Sequence, residues 1–216
     1  MTQQPDTTCV VLEQVGVRLG DDTLLAPVSL ALGEGRTLAV SGRNGTGKTT
    51  LLRVLAGLLR PSSGRVLVAG RPVDERDPAF RRRVAALVGT PALARNLTLR
   101  EHLVLVATSW GASVAQAQDR ADELLDRFGI ARLASRFPHE VSSGQAQLHS
   151  LALTLARPGE LLLLDEPEHR LDADRIGRVV DVLRDLAREG RTVVLASHSA
   201  VLIEAVATDR LELQEA

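Results

Sequence analysis

Aromatic side chains are nearly missing from this chain: three phenylalanines, one tryptophan and no tyrosine, 2% of 216 residues. Without aromatic faces there is little on which successive bases could stack, which excludes the usual platforms for single-stranded nucleic acid. Excess charge is missing too. The 26 Lys and Arg against 27 Asp and Glu leave a net charge of −1, so no global basic field draws a polyanion, and no nucleic-acid partner is expected. A single cysteine, Cys9, excludes an internal disulfide and fits a reducing compartment. No apolar run approaches the ~20 residues that span a bilayer. The start, Met-Thr-Gln-Gln-Pro-Asp, lacks the basic and apolar regions of a signal peptide. A role at a membrane would therefore need another chain to hold the protein there. Lysine is scarce as well, since Lys48 is the only one. Every other basic side chain bar histidine is arginine, so Lys48 marks a place suited to a compact ammonium and closed to a planar guanidinium.

What is present is ordinary globular material, 44% hydrophobic and 25% charged, built around the neighbourhood of that lysine. Residues 42–49 read Gly-Arg-Asn-Gly-Thr-Gly-Lys-Thr and fit G-x-x-x-x-G-K-[ST], a phosphate-cradling loop. Residues 37–41 ahead of it read as a short buried strand. Behind it, Leu51, Leu52, Leu55, Leu58 and Leu59 share one face of a helix that Pro61 and Ser62 stop. Glycines at 42, 45 and 47 let the backbone turn and approach a ligand without Cβ clashes. The freed N–H groups and the positive end of the following helix then face the phosphates. The nucleotide-binding set is Gly42, Asn44, Gly45, Thr46, Gly47, Lys48, Thr49 and Thr50. Within it, Lys48 serves the β- and γ-phosphates and the Thr49 hydroxyl is placed to ligate Mg²⁺.

In chain order, residues 10–19 and 24–32 read as two strands joined by a turn at Gly20-Asp21-Asp22, and 65–68 as a third. Arg81-Arg82-Arg83 reads as a solvated helix end. Residues 84–88 form a buried strand. Residues 98–110 make a helix opened by a Thr98/Glu101 capping box, and Ala121, Leu124, Leu125 and Phe128 mark another ended by Gly129. Between about 90 and 157 there is no strand signal. From 161 strands and helices alternate again, which implies an α/β fold with a mainly parallel sheet covered on both sides. Residues 161–167, Leu-Leu-Leu-Leu-Asp-Glu-Pro, read as a central strand ending in two carboxylates, where ligands of such sheets gather. Asp165 is expected to hold Mg²⁺ opposite Thr49, and Glu166 to polarise the attacking water as general base. His198, at the end of the strand over 192–197, is placed to reach the γ-phosphate. His102, His139, His149 and His169 have no such setting and read as ordinary residues.

This order of motifs resembles the ATP-binding subunit of ABC transporters, from about residue 10 to 213. Residues 42–49 resemble its Walker A loop and 161–166 its Walker B strand with catalytic glutamate. Residues 138–145, Pro-His-Glu-Val-Ser-Ser-Gly-Gln, resemble the segment leading through the signature motif, Leu171-Asp172 the end of the D-loop and His198 the switch histidine. The resemblance implies one ABC ATPase domain over 1–216: a P-loop NTPase core, an N-terminal antiparallel β-subdomain and a helical subdomain over about 90–157. It implies ATP and Mg²⁺ as ligands and Glu166 and His198 as the catalytic pair. It also implies a head-to-tail dimer in which Ser142, Ser143, Gly144 and Gln145 face the nucleotide held by a second nucleotide-binding subunit. A transmembrane permease subunit would dock on the helical segment, especially 90–110, keeping the chain cytoplasmic and peripheral on the inner face of the membrane. Three departures go with it. Leu19 stands where the family stacks an aromatic on adenine. Gly89 stands at the Q-loop glutamine, and Ser143 replaces a signature glycine. His169-Arg170 also replaces small D-loop residues. The favoured function is ATP hydrolysis that powers the permease; the departures leave a second class open, a slow or silent nucleotide-binding subunit that assembles or regulates a complex.

Overall fold

The computed structural model describes residues 8–214. Strand β1 (Thr8–Leu19) turns through Gly20, at φ 61°, into β2 (Asp22–Gly33) and pairs with it antiparallel. β3 (Thr37–Ser41) leads through the phosphate loop into α1 (Lys48–Leu55). Next come β4 (Ser63–Val68), the two-residue β5 (Arg71–Pro72), α2 (Pro78–Arg83) and β6 (Val84–Leu87). Helices α3 (Leu99–Ser109), α4 (Val114–Arg127) and α5 (Ser143–Leu155) follow with no strand between them. β7 (Leu161–Asp165), α6 (Ala173–Arg188), β8 (Thr192–Ala196), α7 (Ala200–Val206) and β9 (Asp209–Glu212) complete the described chain.

Two sheets result. One is antiparallel, in the order β2-β1-β4-β5; the other runs β6-β7-β8-β3-β9 with every pair parallel. The parallel sheet is covered on both faces, which is why β7 is apolar throughout and does not alternate. Leu161 and Leu163 join Leu51, Leu52 and Leu55 of α1 and Val10 and Leu12 of β1 in one core. Leu162 and Leu164 point the other way, into a core with Leu124 of α4, Leu151 of α5 and Val179 and Leu183 of α6. Each of these leucines contributes about 1.5–3 kcal/mol by leaving water. Together they clamp the strand that delivers the carboxylates.

The helix after the phosphate loop is shorter than the leucine pattern predicts. It ends at Leu55, and Leu58 is 58% exposed. The stop is Gly57, at φ 76°, not Pro61. The Gly57 N–H donates to the Val54 carbonyl at 3.0 Å and the Leu58 N–H to that of Arg53 at 2.9 Å, a Schellman turn that satisfies the helix end. The expected boxes are present: Thr98 and Glu101 cap α3 reciprocally, and Gly129 takes φ 66° after α4. The three arginines 81–83 form the end of α2. No helix among the described residues is long and apolar enough to cross a membrane.

Candidate functional site

Strands β7, β8 and β3 are neighbours in the parallel sheet, so their carboxyl ends converge. β3 delivers the phosphate loop. Its glycines are required by geometry: a Cβ on Gly42, at φ 143°, would lie 2.6 Å from the Leu213 carbonyl oxygen, and one on Gly47, at φ 95°, would strike the Leu24 carbonyl. Gly45, at φ 88°, has open space around it. Thr46 is buried and donates to the Arg43 carbonyl at 3.0 Å, which stiffens the loop. Lys48 is 93% buried by its 7% exposure and folds back on the loop, its Nζ donating to the carbonyls of Gly42 and Arg43 at 2.8 and 2.9 Å. A buried ammonium whose hydrogen bonds go to neutral carbonyl oxygens keeps its charge uncancelled by them and is poised to take an anion.

From β7, Asp165 faces the start of α1, and the Thr49 hydroxyl donates to its Oδ2 at 2.8 Å. Burial, reinforced by the neighbouring Glu166 charge, raises the Asp165 carboxyl above its usual range; the Thr49 bond, Arg53 and Lys48 pull the other way. A desolvated carboxylate beside a hydroxyl is a fitting oxygen-donor pair for a hard divalent cation that otherwise takes water and phosphate oxygens. Glu166 stands one residue on, in the left-handed region at φ 47°, its N–H held by the Ala196 carbonyl at 2.9 Å. His198, just past β8, brings Nε2 to 3.7 Å from Glu166 Oε1. Arg43, Asn44 and His198 line an open cavity of about 440 Å³ over the loop.

A model of the ABC transporter family matches residues 25–169. The chain belongs to the ABC transporter family. It is 37% identical over 190 residues to a Fe(3+) ions import ATP-binding protein of Brucella melitensis, covering 88% of this chain and 54% of that protein. It is 34% identical over 220 residues to the methionine import ATP-binding protein MetN of Mesorhizobium japonicum, covering 99% of this chain and 60% of that one. The chain thus spans little more than half the length of these curated relatives. Among solved structures, the ATP-binding subunit of an ABC transporter aligns at a TM-score of 0.85 with 27% identity, over 96% of this chain and 86% of that one. A dimeric, post-hydrolysis ATP-binding cassette bound to ADP and Pi also reaches 0.85, at 25% identity over 95% of this chain and 94% of that one.

Seen as an ABC ATPase fold, the chain brings Gly42, Lys48, Thr49, Asp165, Glu166 and His198 together and leaves the signature residues apart from them. Ser142 and Gln145 form a capping box at the start of α5: the Ser142 N–H donates to Gln145 Oε1 at 2.9 Å, and the Gln145 N–H to Ser142 Oγ at 3.4 Å. Ser142 and Ser143 are exposed, while Gly144 is buried where a Cβ would meet the Arg170 carbonyl at 2.7 Å. Ser143 is the first helical residue, so its Cβ costs the backbone nothing. Thr50 lies half-buried in the first turn of α1. Leu19 is 70% exposed at the β1–β2 turn, and Leu24, the third residue of β2, brings its carbonyl against Gly47 of the phosphate loop. Gly89, at φ 83°, has nothing within 4 Å of a Cβ position and sends no side chain toward Asp165.

Sequence reasoning missed three groups. Glu168 Oε1 accepts from Ser197 Oγ at 2.5 Å and from the His198 and Ser199 N–H groups at 3.1 and 3.2 Å, so it fastens the loop that carries His198. Gln147 Nε2 donates to the Glu166 and Pro167 carbonyls at 3.2 and 3.3 Å. His169, read as ordinary, places Nδ1 3.6 Å from Glu166 Oε2, because the turn after β7 folds back on itself through the His169 N–H to Glu166 carbonyl bond. A third carboxylate within four residues of Asp165 was the one visible hint, and it did not reveal what Glu168 would bind. His149 is ordinary as expected: fully buried, with Nε2 on the Leu99 carbonyl at 2.9 Å.

Proposed function

We propose that this chain is the ATP-binding and hydrolysing subunit of an ABC transporter and powers a separate transmembrane permease. The observation that carries the reading is the Thr49–Asp165 hydrogen bond at 2.8 Å, with buried Lys48 on one side and Glu166 facing His198 on the other. The phosphate loop amides and Lys48 would grip the triphosphate. Thr49 and Asp165 would hold Mg²⁺, which when bound neutralises phosphate charge. Glu166 would take the proton of the attacking water, and His198 would donate a hydrogen bond toward the γ-phosphate. Leu19 and Leu24 would give adenine an apolar contact in place of a stack. The intact set of reacting side chains favours turnover over a silent subunit.

Ser142, Ser143, Gly144 and Gln145 would act on the nucleotide of a second nucleotide-binding subunit, since within this chain they pack beside Arg170 and not on the phosphate loop. The dimeric state of the ADP- and Pi-bound structural neighbour supports the presence of a second subunit. The permease would dock in a groove of about 310 Å³ between the β6 loop and the helical segment, lined by Val88, Gly89, Pro91, Val106, Trp110 and Arg157. There the Arg157 guanidinium lies 4.4 Å over the Trp110 ring. Docking by a membrane partner would place the chain on the cytoplasmic face. The names of these two relatives point to import, the Brucella protein's naming Fe(3+) and the Mesorhizobium protein's methionine, whereas a Streptomyces coeruleorubidus relative is named for daunorubicin resistance. The test is steady-state ATPase with the permease present. Glu166→Gln should lower turnover at least ~10²-fold while ATP still binds, and turnover indifferent to Glu166 would sink the reading.

A further inference from the structure

We propose that His169 is a second histidine acting on Glu166, a positioning residue that holds the carboxylate between two imidazoles. This rests on Glu166 being the group that readies water. Each oxygen of Glu166 faces a different ring: Oε1 lies 3.7 Å from Nε2 of His198, and Oε2 lies 3.6 Å from Nδ1 of His169. The two histidines arrive from different strands, His198 after β8 and His169 from the turn after β7. Their convergence on one side chain is a product of the fold.

Arg170 settles which nitrogen of His169 carries the proton. Its Nε–H donates to His169 Nε2 at 3.1 Å, so Nε2 is the acceptor and Nδ1 bears the hydrogen that points at Glu166. Arg170 reaches back this way because its backbone sits at φ 63°, in the left-handed region that a β-carbon makes costly. The turn is held there by the His169 N–H on the Glu166 carbonyl at 3.0 Å and the Leu171 N–H on the Glu168 carbonyl at 3.1 Å. Two consecutive non-small residues therefore occupy this turn in an arrangement whose visible outcome is a donor aimed at Glu166.

The effect is one of orientation more than of charge. The Glu166, His169 and His198 side chains are 44%, 54% and 45% exposed, and contacts between half-exposed ionisable groups are strongly screened. The backbone of Glu166 is already fixed, through its N–H on the Ala196 carbonyl and its own carbonyl accepting from Gln147. Three side-chain torsions remain free to turn the carboxylate away from the attacking water. The His169 donor beside Oε2 and the His198 ring beside Oε1 would limit that freedom once the contacts shorten; both lie a few tenths of an ångström beyond hydrogen-bond length, a gap that closure on substrate can take up.

The experiment compares His169→Ala and His169→Asn in the assembled complex with its permease. Asparagine is the conservative variant because its Nδ2 amide falls near the position of Nδ1–H. His169→Ala should lower kcat about 10-fold with KM for ATP unchanged, on the scale by which small misplacement of a reacting group slows catalysis, and His169→Asn should recover most of the loss. In a Glu166→Gln background, His169→Ala should cause no further loss in single-turnover hydrolysis, since the group it positions is gone. Nucleotide-dependent dimerisation of that double variant, measured separately, should match Glu166→Gln alone. An unchanged kcat in His169→Ala, a loss confined to KM, a lost dimer, or an Asn variant no better than Ala would overturn the proposal. Wild-type turnover that does not depend on Glu166 overturns the ATPase reading itself, whereas Glu166-dependent turnover indifferent to His169 overturns only this one.

Discussion

Asp165 shows how a single side chain trades stability for chemistry. Its carboxyl is desolvated and next to Glu166, and its pKa is raised, so at neutral pH the folded, nucleotide-free protein bears an unfavourable negative charge. Asp165→Asn keeps an acceptor for the Thr49 hydroxyl and removes that charge. It should raise the melting temperature of the nucleotide-free protein by about 2 °C, partial exposure screening the rest. It should also abolish the extra stabilisation that ATP with Mg²⁺ gives over ATP alone; calorimetry with each ligand measures both. Glu168 works in the opposite sense. One of its oxygens gathers three donors from the Ser197–Ser199 turn, and Glu168→Ala would strip the Ser197 hydroxyl and the His198 N–H of this acceptor, leaving the Ser199 N–H only its bond to Ser197 Oγ. Melting should fall by roughly 1–3 kcal/mol in stability, and kcat should drop with little change in ATP affinity, which thermal melts and steady-state kinetics read separately. The phosphate loop, Asp165, Glu166 and His198 were legible in the sequence because each sits at a strand end marked by an apolar run. Glu168, His169 and Gln147 were not, because their partners lie 29, 3 and 19 residues away and only the folded turn brings them into reach.

At the scale of elements, most boundaries followed from local chemistry. The Thr98/Glu101 box, Gly129 after α4 and the Gly20 turn between β1 and β2 all stand where their residue types place them. The exception was α1, whose leucine periodicity ran past a glycine that a left-handed turn required; periodicity reports a face, not an end. Packing between elements was less readable. His149 of α5 bonds the first residue of α3, and its ring is fully buried with Nδ1 unpartnered. Burial pushes its pKa down to about 4, the Leu99 bond opposing and the nearby His102 adding to the fall. The unfolded chain takes a proton near pH 6.5 and the folded one does not. The stability tied to His149 is therefore complete above pH 6.5 and lost as pH falls toward 4, a loss of roughly 3 kcal/mol over that window. Thermal melts from pH 7.5 to 4.5 should show a steeper decline for wild type than for His149→Gln, because the substitution removes this titration and leaves the rest. Parallel declines would refute it.

For the whole molecule, the split between the phosphate loop and the signature helix predicts that one chain is half of a working site. Glu166→Gln with ATP and Mg²⁺ should double the mass seen by light scattering, while ADP should leave the monomer; a monomer under both conditions would contradict the dimer reading. Ser142 takes the Gln145 N–H at the start of α5, so in the proposed dimer the Ser143 and Gly144 amides of that turn would be the ones to meet the partner's nucleotide. The sequence alone determined the nucleotide loop, the carboxylate-ended strand, the α/β class and the strand-free helical segment. Each of those is written in near-neighbour spacing, where residue type and backbone geometry are coupled within a few positions. Only the tertiary structure decided that β7, β8 and β3 lie side by side, that Glu168 fastens the His198 loop and that Glu166 stands between two histidines. Those facts depend on strand order and on a locally folded turn that Ala196, Ser197 and Gln147 anchor from distant parts of the chain, which no periodicity in a linear chain encodes.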